Sequence, residues 1–458
     1  MQSDIPVQRR TTGARPWLVL GSLAMLQFLI AVDVTVVNIA LPSIGVEFGV
    51  DERVLTWVVV GYAVTGGGVL MLGGRLGDVL GRRRVLLVGT AVFGAASLLA
   101  GLAPTFPLLV VARLLQGVGE AIALPAAMAM IVLTFPEGPR RTRALSVWAV
   151  VASAGLVLGF VLSGVITELL GWRWIFPVAV PFTLYVACAA LVLVPADPPG
   201  ERKPLDLPGS LLLTAAPLLF VLGVVEAGEG GLAPLALIGA VLASALFVVV
   251  ERRAPNPLVP LAFFRNRTRV RANLATALLS AALSTSFLLF TFQLQQRAGL
   301  TPFAAGVALL PLAVALVAAA TFVPRVVGRW GSRTCAVVGI ASTAAGMAAI
   351  AAGAHFGAGA VETIPAMILI AAGMGFGLVG LQHAAVTGVT DDDAGVASGV
   401  QRAADQLGGS SGVTLYIGVG FAPAVPGVDP FTASCALALV GLLAAALIAW
   451  RIEEPQNA

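Results

Sequence analysis

The sequence predicts an all-α polytopic membrane fold, with two six-helix halves and two extra central helices making about fourteen transmembrane helices, and three observations carry that prediction. Of 458 residues, 58% are hydrophobic and only 11% charged, whereas soluble domains carry roughly 25% charged residues. The apolar residues fall in long runs that match the roughly 20 residues a helix needs to cross a bilayer. The lysines and arginines gather in alternate connectors between those runs.

Taken in order, residues 1–16 are expected to be a cytoplasmic tail carrying Arg9, Arg10 and Arg15. The run that follows is too long for a signal peptide and has no small-residue cleavage site, so it is a first span. Further spans are expected near residues 54–74, 85–103, 107–134, 144–168 and 174–194, the first being 17–40. Residues 195–208, rich in proline and charge, form a linker. Two inserted helices occupy 209–250 (near 209–227 and 232–250), and a second basic linker covers 251–271. The second half, 272–450, holds spans near 272–296, 303–323, 335–353, 363–387, 397–420 and 430–450, and 451–458 is a cytoplasmic tail.

Orientation follows from the basic residues. The connector from Gly73 to Arg84 (GGRLGDVLGRRR) holds four arginines between two apolar runs, which the positive-inside rule assigns to the cytoplasm. Of the 27 lysines and arginines, 22 fall on that side, against Arg53, Arg173 and Arg297 on the other, with Arg113 and Arg402 inside spans. Both termini are therefore expected in the cytoplasm of a multi-pass inner (cytoplasmic) membrane protein. Arg325 to Arg333 follows the second span of the last six as Gly73 to Arg84 follows the second of the first six, an echo that supports an internal repeat with a central site between halves.

Several function classes are excluded. The net charge of +4 lies in short connectors, not on one surface, so nucleic acid is not an expected partner. Cys188, Cys335 and Cys435 are far apart, and His355 and His383 lack a ligand-like partner spacing, so no metal site is expected. There is no phosphate-binding Gly-x-x-x-x-Gly-Lys-Ser/Thr loop and no clustered nucleophile or base, which argues against an enzyme and against any cofactor.

Ionisable residues inside spans are functional candidates by default. Asp33 in the first span and Arg113 in the fourth lie at nearly matched depth and can neutralise each other; a permanent structural ion pair is the plainer alternative. Glu120 is two turns beyond Arg113 on the same helix face, poised either for proton exchange or as an acid in a water-filled vestibule. Arg402 and Asp405, at i,i+3 in the thirteenth span, read as a local ion pair. Glu226 and Glu229 are expected at a wet helix end, and Asp391, Asp392 and Asp393 in a solvated loop. Gly155, Gly159 and Gly164 form small-residue spacing that lets helices approach closely, either for packing alone or as an interface that permits motion.

Together these stretches resemble the major facilitator superfamily, specifically its fourteen-span drug:proton antiporters, along nearly the whole chain. Gly73, Asp78, Gly81, Arg82 and Arg83 resemble the family's loop between spans two and three, which implies a charge relay acting as a conformational switch. Asp33, Asn38 and Pro42 match the first-span pattern; Arg113, Gln116 and Gly117 match a fourth-span motif implicated in proton transfer. Gly155 to Gly164 is similar to the fifth-span antiporter signature, with Phe160 where proline is usual. Trp172 to Phe176 resembles a stretch of the fourteen-span branch, with Ala179 replacing asparagine. Gly395 to Gly412 resembles a late Gly-x-Ala-Ser-Gly…Gln-Leu-Gly-Gly stretch, with Arg402 and Asp405 where asparagine and arginine are more usual, and Glu120 stands where small residues are common.

The resemblance implies a major facilitator fold and a proton-coupled antiporter that exports an amphipathic drug or antibiotic. Its expected partners are that small molecule, protons and the lipid bilayer, and a monomer is the expected state. An uptake symporter on the same scaffold, or a polytopic membrane enzyme, are the alternatives.

Overall fold

Capping residues mark where the helices begin. The side chains of Asp51, Asp206, Asn266, Thr301 and Asp429 each accept a hydrogen bond from the backbone amide three residues on, at 2.8–3.3 Å, satisfying one of the amides that a helix start leaves unpaired. The computed structural model describes residues 15–194, 205–227, 231–357, 359–387, 394–421 and 429–453. Glu229, Asp391, Asp392, Asp393 and most of the two tails and of the 195–208 linker lie outside them. Its helices are α1 (Arg15–Phe48), α2 (Glu52–Leu80), α3 (Arg82–Gly101), α4 (Phe106–Thr134), α5 (Pro139–Leu169) and α6 (Ala179–Leu193). Then come α7 (Leu207–Val225), α8 (Ala233–Arg253), α9 (Arg267–Phe292), α10 (Pro302–Ala308), α11 (Leu310–Trp330), α12 (Ser332–His355), α13 (Ala360–Val386), α14 (Ala394–Gly420) and α15 (Pro430–Trp450).

Among the described residues fifteen α-helices make fourteen spans, because α10 and α11 form one crossing broken at Leu309. Pro311 at the start of α11 has no amide to donate back into the preceding turn. Among the described residues thirteen crossings are long and apolar enough to span a membrane. The remaining one, α14, is 27 residues long but carries Gln401, which bonds Thr276 of α9, and Arg402, Asp405 and Gln406, which line a central cavity.

Two expected chain boundaries need correction. The first span does not end near residue 40: α1 continues through Pro42 to Phe48, which brings Asp33 closer to the middle of its helix. Gly73 to Arg84 is not a loop either. Helix α2 runs to Leu80 and α3 starts at Arg82, so the whole connection is Gly81, whose φ of 91° is open to glycine. Gly331, φ 79°, joins α11 to α12 in the same way. Eight residues after each hinge stands another glycine in tight contact: a Cβ on Gly89 would meet the Ala123 amide at 2.6 Å, and one on Gly339 the Gly377 amide at 2.2 Å. The two halves thus repeat the same hinge and the same close helix pair.

Helices α1–α6 pack together and α9–α15 pack together, while α7 and α8 pair with each other and lean on α2 and α14. Arg53 was read as a connector charge. It is instead buried and donates to the carbonyls of Val225 at 2.5 Å and Ala227 at 2.7 Å, closing the end of α7. At the other end of α2, Arg75 donates to the carbonyls of Asn256 (2.5 Å) and Pro257. The inserted pair is therefore tied to both ends of α2.

The two halves meet closely on the face opposite the arginine-rich connectors. Ile39 and Phe160 from the first half join the apolar core of the second, and Leu288, Phe292, Val413 and Ile417 join a core built around α1, α2 and α4. On the arginine-rich face α2 and α14 remain together, plugged by Leu258, Val259 and Phe263. Helices α5 and α11 touch, and Ser146 and Ala149 of α5, with Thr321 and Pro324 of α11, are exposed.

Candidate functional site

Asp33 on α1 and Arg113 on α4 are 5% and 1% exposed, so each must find its partners inside the bundle. Arg113 Nη1 donates to Asp33 Oδ2 at 2.7 Å and to Gln116 Oε1 at 2.9 Å, and its Nε donates to the Val58 carbonyl at 2.8 Å. Gln116 Nε2 donates to Asp33 Oδ1 at 3.2 Å and to Ser97 Oγ at 2.8 Å. The guanidinium also lies 4.3 Å from the centre of the Tyr62 ring, close enough for a cation–π attraction. Val58, Tyr62 and Ser97 carry no signal in sequence that would mark them; only the packing of α2 and α3 against α4 brings them here.

This network borders a cavity of about 350 Å³ between the halves, within the size range of small-molecule sites. The first half contributes Gln27, Val34, Asn38, Tyr62, Arg113, Glu120 and Phe160; the second contributes Phe287, Val317, Arg402, Asp405 and Gln406. The rings of Phe160 and Phe287 lie 5.6 Å apart across the junction. The predicted local ion pair of Arg402 with Asp405 does not form. Asp405 instead accepts a 2.5 Å hydrogen bond from Ser280 Oγ on α9, and Arg402 is exposed on the cavity wall. Glu120 is 2% exposed, with the Tyr62 hydroxyl beside its carboxylate.

The remaining candidates lie away from this centre. Gly73 presses α2 onto α4, where a Cβ would fall 2.0 Å from the Ala121 carbonyl. Asp78 pairs with Arg82 one turn on, at 2.9 Å, and is largely exposed, while Arg83 donates to the Leu191 carbonyl at the end of α6 at 2.6 Å. The α5 glycines serve two seams. Gly155 and Gly159 abut α1, at Phe28 and Ala31 and at Val32 and Thr35; Gly164 faces Pro302 and Phe303 of α10, across the junction. With Phe160 in place of proline, α5 runs unbroken. Phe303's amide donates to Glu168 at 3.0 Å and Gln295 donates to the Ile39 carbonyl at 2.8 Å, holding the halves together on the side opposite the arginines.

Three comparisons bear on this arrangement. The family model described as Major Facilitator Superfamily matches residues 23–413. Among curated proteins, the lincomycin resistance protein of Streptomyces lincolnensis is 52% identical over 94% of this chain and 90% of its own length. The puromycin resistance protein of Streptomyces alboniger is 36% identical over 97% and 92%, and the cephamycin export protein of Amycolatopsis lactamdurans 37% over 90% and 86%. Among solved structures, a mutant of the nucleoside transporter NupG superposes with a TM-score of 0.69 at 13% identity, covering 95% of this chain and 99% of that one; at that identity the likeness shows the fold alone.

Proposed function

The chain belongs to the Major Facilitator Superfamily, and from that premise we propose that it exports an amphipathic antibiotic across the cytoplasmic membrane in exchange for protons. It is a multi-pass membrane protein and a transporter, not an enzyme. The names of its relatives, resistance and export proteins for lincomycin, puromycin and cephamycin, support export as the direction and antibiotics as the class. The arginine asymmetry supports cytoplasmic termini. We assign the halves to residues 17–194 and 272–450, the inserted helices to 209–250 and the linkers to 195–208 and 251–271, working as a monomer.

One observation carries proton coupling: a buried carboxylate, Asp33, held by Arg113 and Gln116 at the edge of a cavity that both halves line. A proton arriving at Asp33 removes one charge of the pair and leaves Arg113 on Val58 and Gln116. That change in cavity charge biases which arrangement of the halves is favoured, and rocking of the halves then exposes the cavity alternately. In this reading the cavity loads from the arginine-rich face, the side from which an exporter takes its substrate. Gly155, Gly159 and Gly164 give the seams along which α5 moves. The Asp78–Arg82 hinge, with Gly73, Gly81 and Arg83, is assigned as the switch, and Asn38, Arg402 and Asp405 as secondary cavity residues.

The test is proton flux in inverted vesicles during addition of an antibiotic panel. A compound that dissipates an imposed pH gradient with wild type and not with Asp33→Asn supports the reading. Export that continues undiminished in Asp33→Asn without proton movement overturns it.

A further inference from the structure

Resting on rocking of the two halves during export, we propose that α7, α8 and the linker as far as Phe263 travel with the first half and slide over α14 of the second. Helix α7 packs on both α2 and α14, so it covers a seam whose two sides belong to different halves. The chemistry of the two contacts differs. On α2 the contact is made by hydrogen bonds. The buried Arg53 donates to the carbonyls of Val225 and Ala227 at one end, and Arg75 donates to those of Asn256 and Pro257 at the other. The two arginines stand 22 positions apart on one helix, about 33 Å at 1.5 Å per residue, and fastening at two such distant points resists pivoting as well as translation. Between them a Cβ on Gly68 would meet the Thr214 Cα at 2.9 Å, so the α7 backbone lies against α2 there.

On α14 the contact is made by apolar side chains. Val224 of α7 sits against Gly418, where a Cβ would meet its Cγ1 at 2.8 Å. Leu258, Val259 and Phe263 of the linker cluster with Ala397 and Val400. Hydrogen bonds weaken steeply once their distance or angle is lost, whereas apolar contact is non-directional and lets packed helices slide past one another in small shear steps. A moving seam therefore gives way at α14 and holds at α2. The linker stays with its helices as it does so. Glu251, in the last turn of α8, accepts the Val259 amide at 3.1 Å, while Arg75 holds the carbonyls of the two residues before Leu258. The plug is thus carried by the first half, and parting α2 from α14 at the arginine-rich face requires its three side chains to leave Ala397 and Val400 while Arg75 keeps its hold.

The experiment measures spin-label distances in the full-length protein in lipid nanodiscs. Labels are placed in pairs through Arg252→Cys on α8, Arg84→Cys on α3 and Arg329→Cys on α11, all exposed positions. Cys188 is replaced by alanine, and Cys335 and Cys435 are buried and take no label. Two changes displace the halves by unrelated means. Asp33→Asn removes the charge that proton arrival would remove, and Gly164→Trp wedges the junction of the halves, where even a Cβ would lie 2.7 Å from the Phe303 Cα. The distance between positions 84 and 329 should shift by about 5 Å, the scale of one helical turn. The 252 to 329 distance should shift with it, and the 252 to 84 distance should stay as in wild type. Arg75→Gln, which frees one end of the fastening, should broaden the 252 to 84 distribution and leave 84 to 329 unchanged. A 252 to 84 distance that shifts when the halves move, or that Arg75→Gln leaves as narrow as before, overturns the inference while export stands. If vesicles export no compound while the distances behave as expected, export falls and the carriage of the inserted pair by the first half stands. If 84 to 329 shifts in neither variant, the halves do not rock, and both readings fall.

Discussion

Arg113 is the residue whose environment is most completely filled: Asp33, Gln116, the Val58 carbonyl and the Tyr62 ring surround it. A buried ion pair of this kind need not stabilise the fold relative to apolar residues, but removing one partner leaves an unpaired buried charge, at a cost of about 3–5 kcal/mol. Arg113→Met is therefore expected to lower the thermal midpoint of the detergent-solubilised protein sharply, and adding Asp33→Asn should recover part of the loss. If the double variant is no more stable than Arg113→Met, Asp33 is not the charge left exposed by the substitution. The pair itself was legible in sequence from two charges at comparable depth. Gln116's bridging role and the Tyr62 ring were not, since which side chains on α1, α2 and α3 they would meet depends on how those helices pack.

At the level of helices, the α1–α5 seam and the α11 surface make opposite predictions for added bulk. A Cβ on Gly159 would fall 1.9 Å from Thr35 Oγ1, whereas nothing lies within 4 Å of a Cβ on Gly328. Gly159→Leu should destabilise by about 1–3 kcal/mol, as overpacking does, and reduce export. Gly328→Ala should stabilise by about 0.4–1 kcal/mol through the unfolded state alone. Thermal midpoints of the two variants, measured side by side, check both. The glycine spacing was visible in sequence, but that Gly164 meets α10 of the other half while Gly155 and Gly159 meet α1 depends on how α5 is rotated. Arg402 and Asp405 show the same limit: i,i+3 spacing allows an ion pair, and Ser280 on α9 offered Asp405 a closer partner.

For the whole molecule, the proposed loading side predicts that the cavity between the halves opens toward the arginine-rich face. Val34 lines the cavity and is 41% exposed, so it reports on that opening. In a background with the exposed Cys188 replaced by alanine, Val34→Cys should react with a membrane-impermeant maleimide from the arginine-rich side, in inverted vesicles, and not in right-side-out ones. Labelling from the opposite side alone would mean that the cavity opens the other way. The plug formed by Leu258, Val259 and Phe263 packs against α2 and α14, and Arg53 and Arg75 fasten the inserted helices to α2.

The amino-acid sequence determined the number of crossings, their order and the face that carries the arginines. Those properties depend on run length and on the cost of moving charge through a bilayer, both of which act on each segment separately. The hinge at Gly81 was hidden inside what read as a twelve-residue loop, because polar residues continue a helix as readily as they form a turn. Only tertiary structure decided that Glu120 and Gln406, 286 positions apart in sequence, meet beside Gly66. Which face of a helix meets a cavity, and which meets lipid or another helix, is set by the packing of all its neighbours at once.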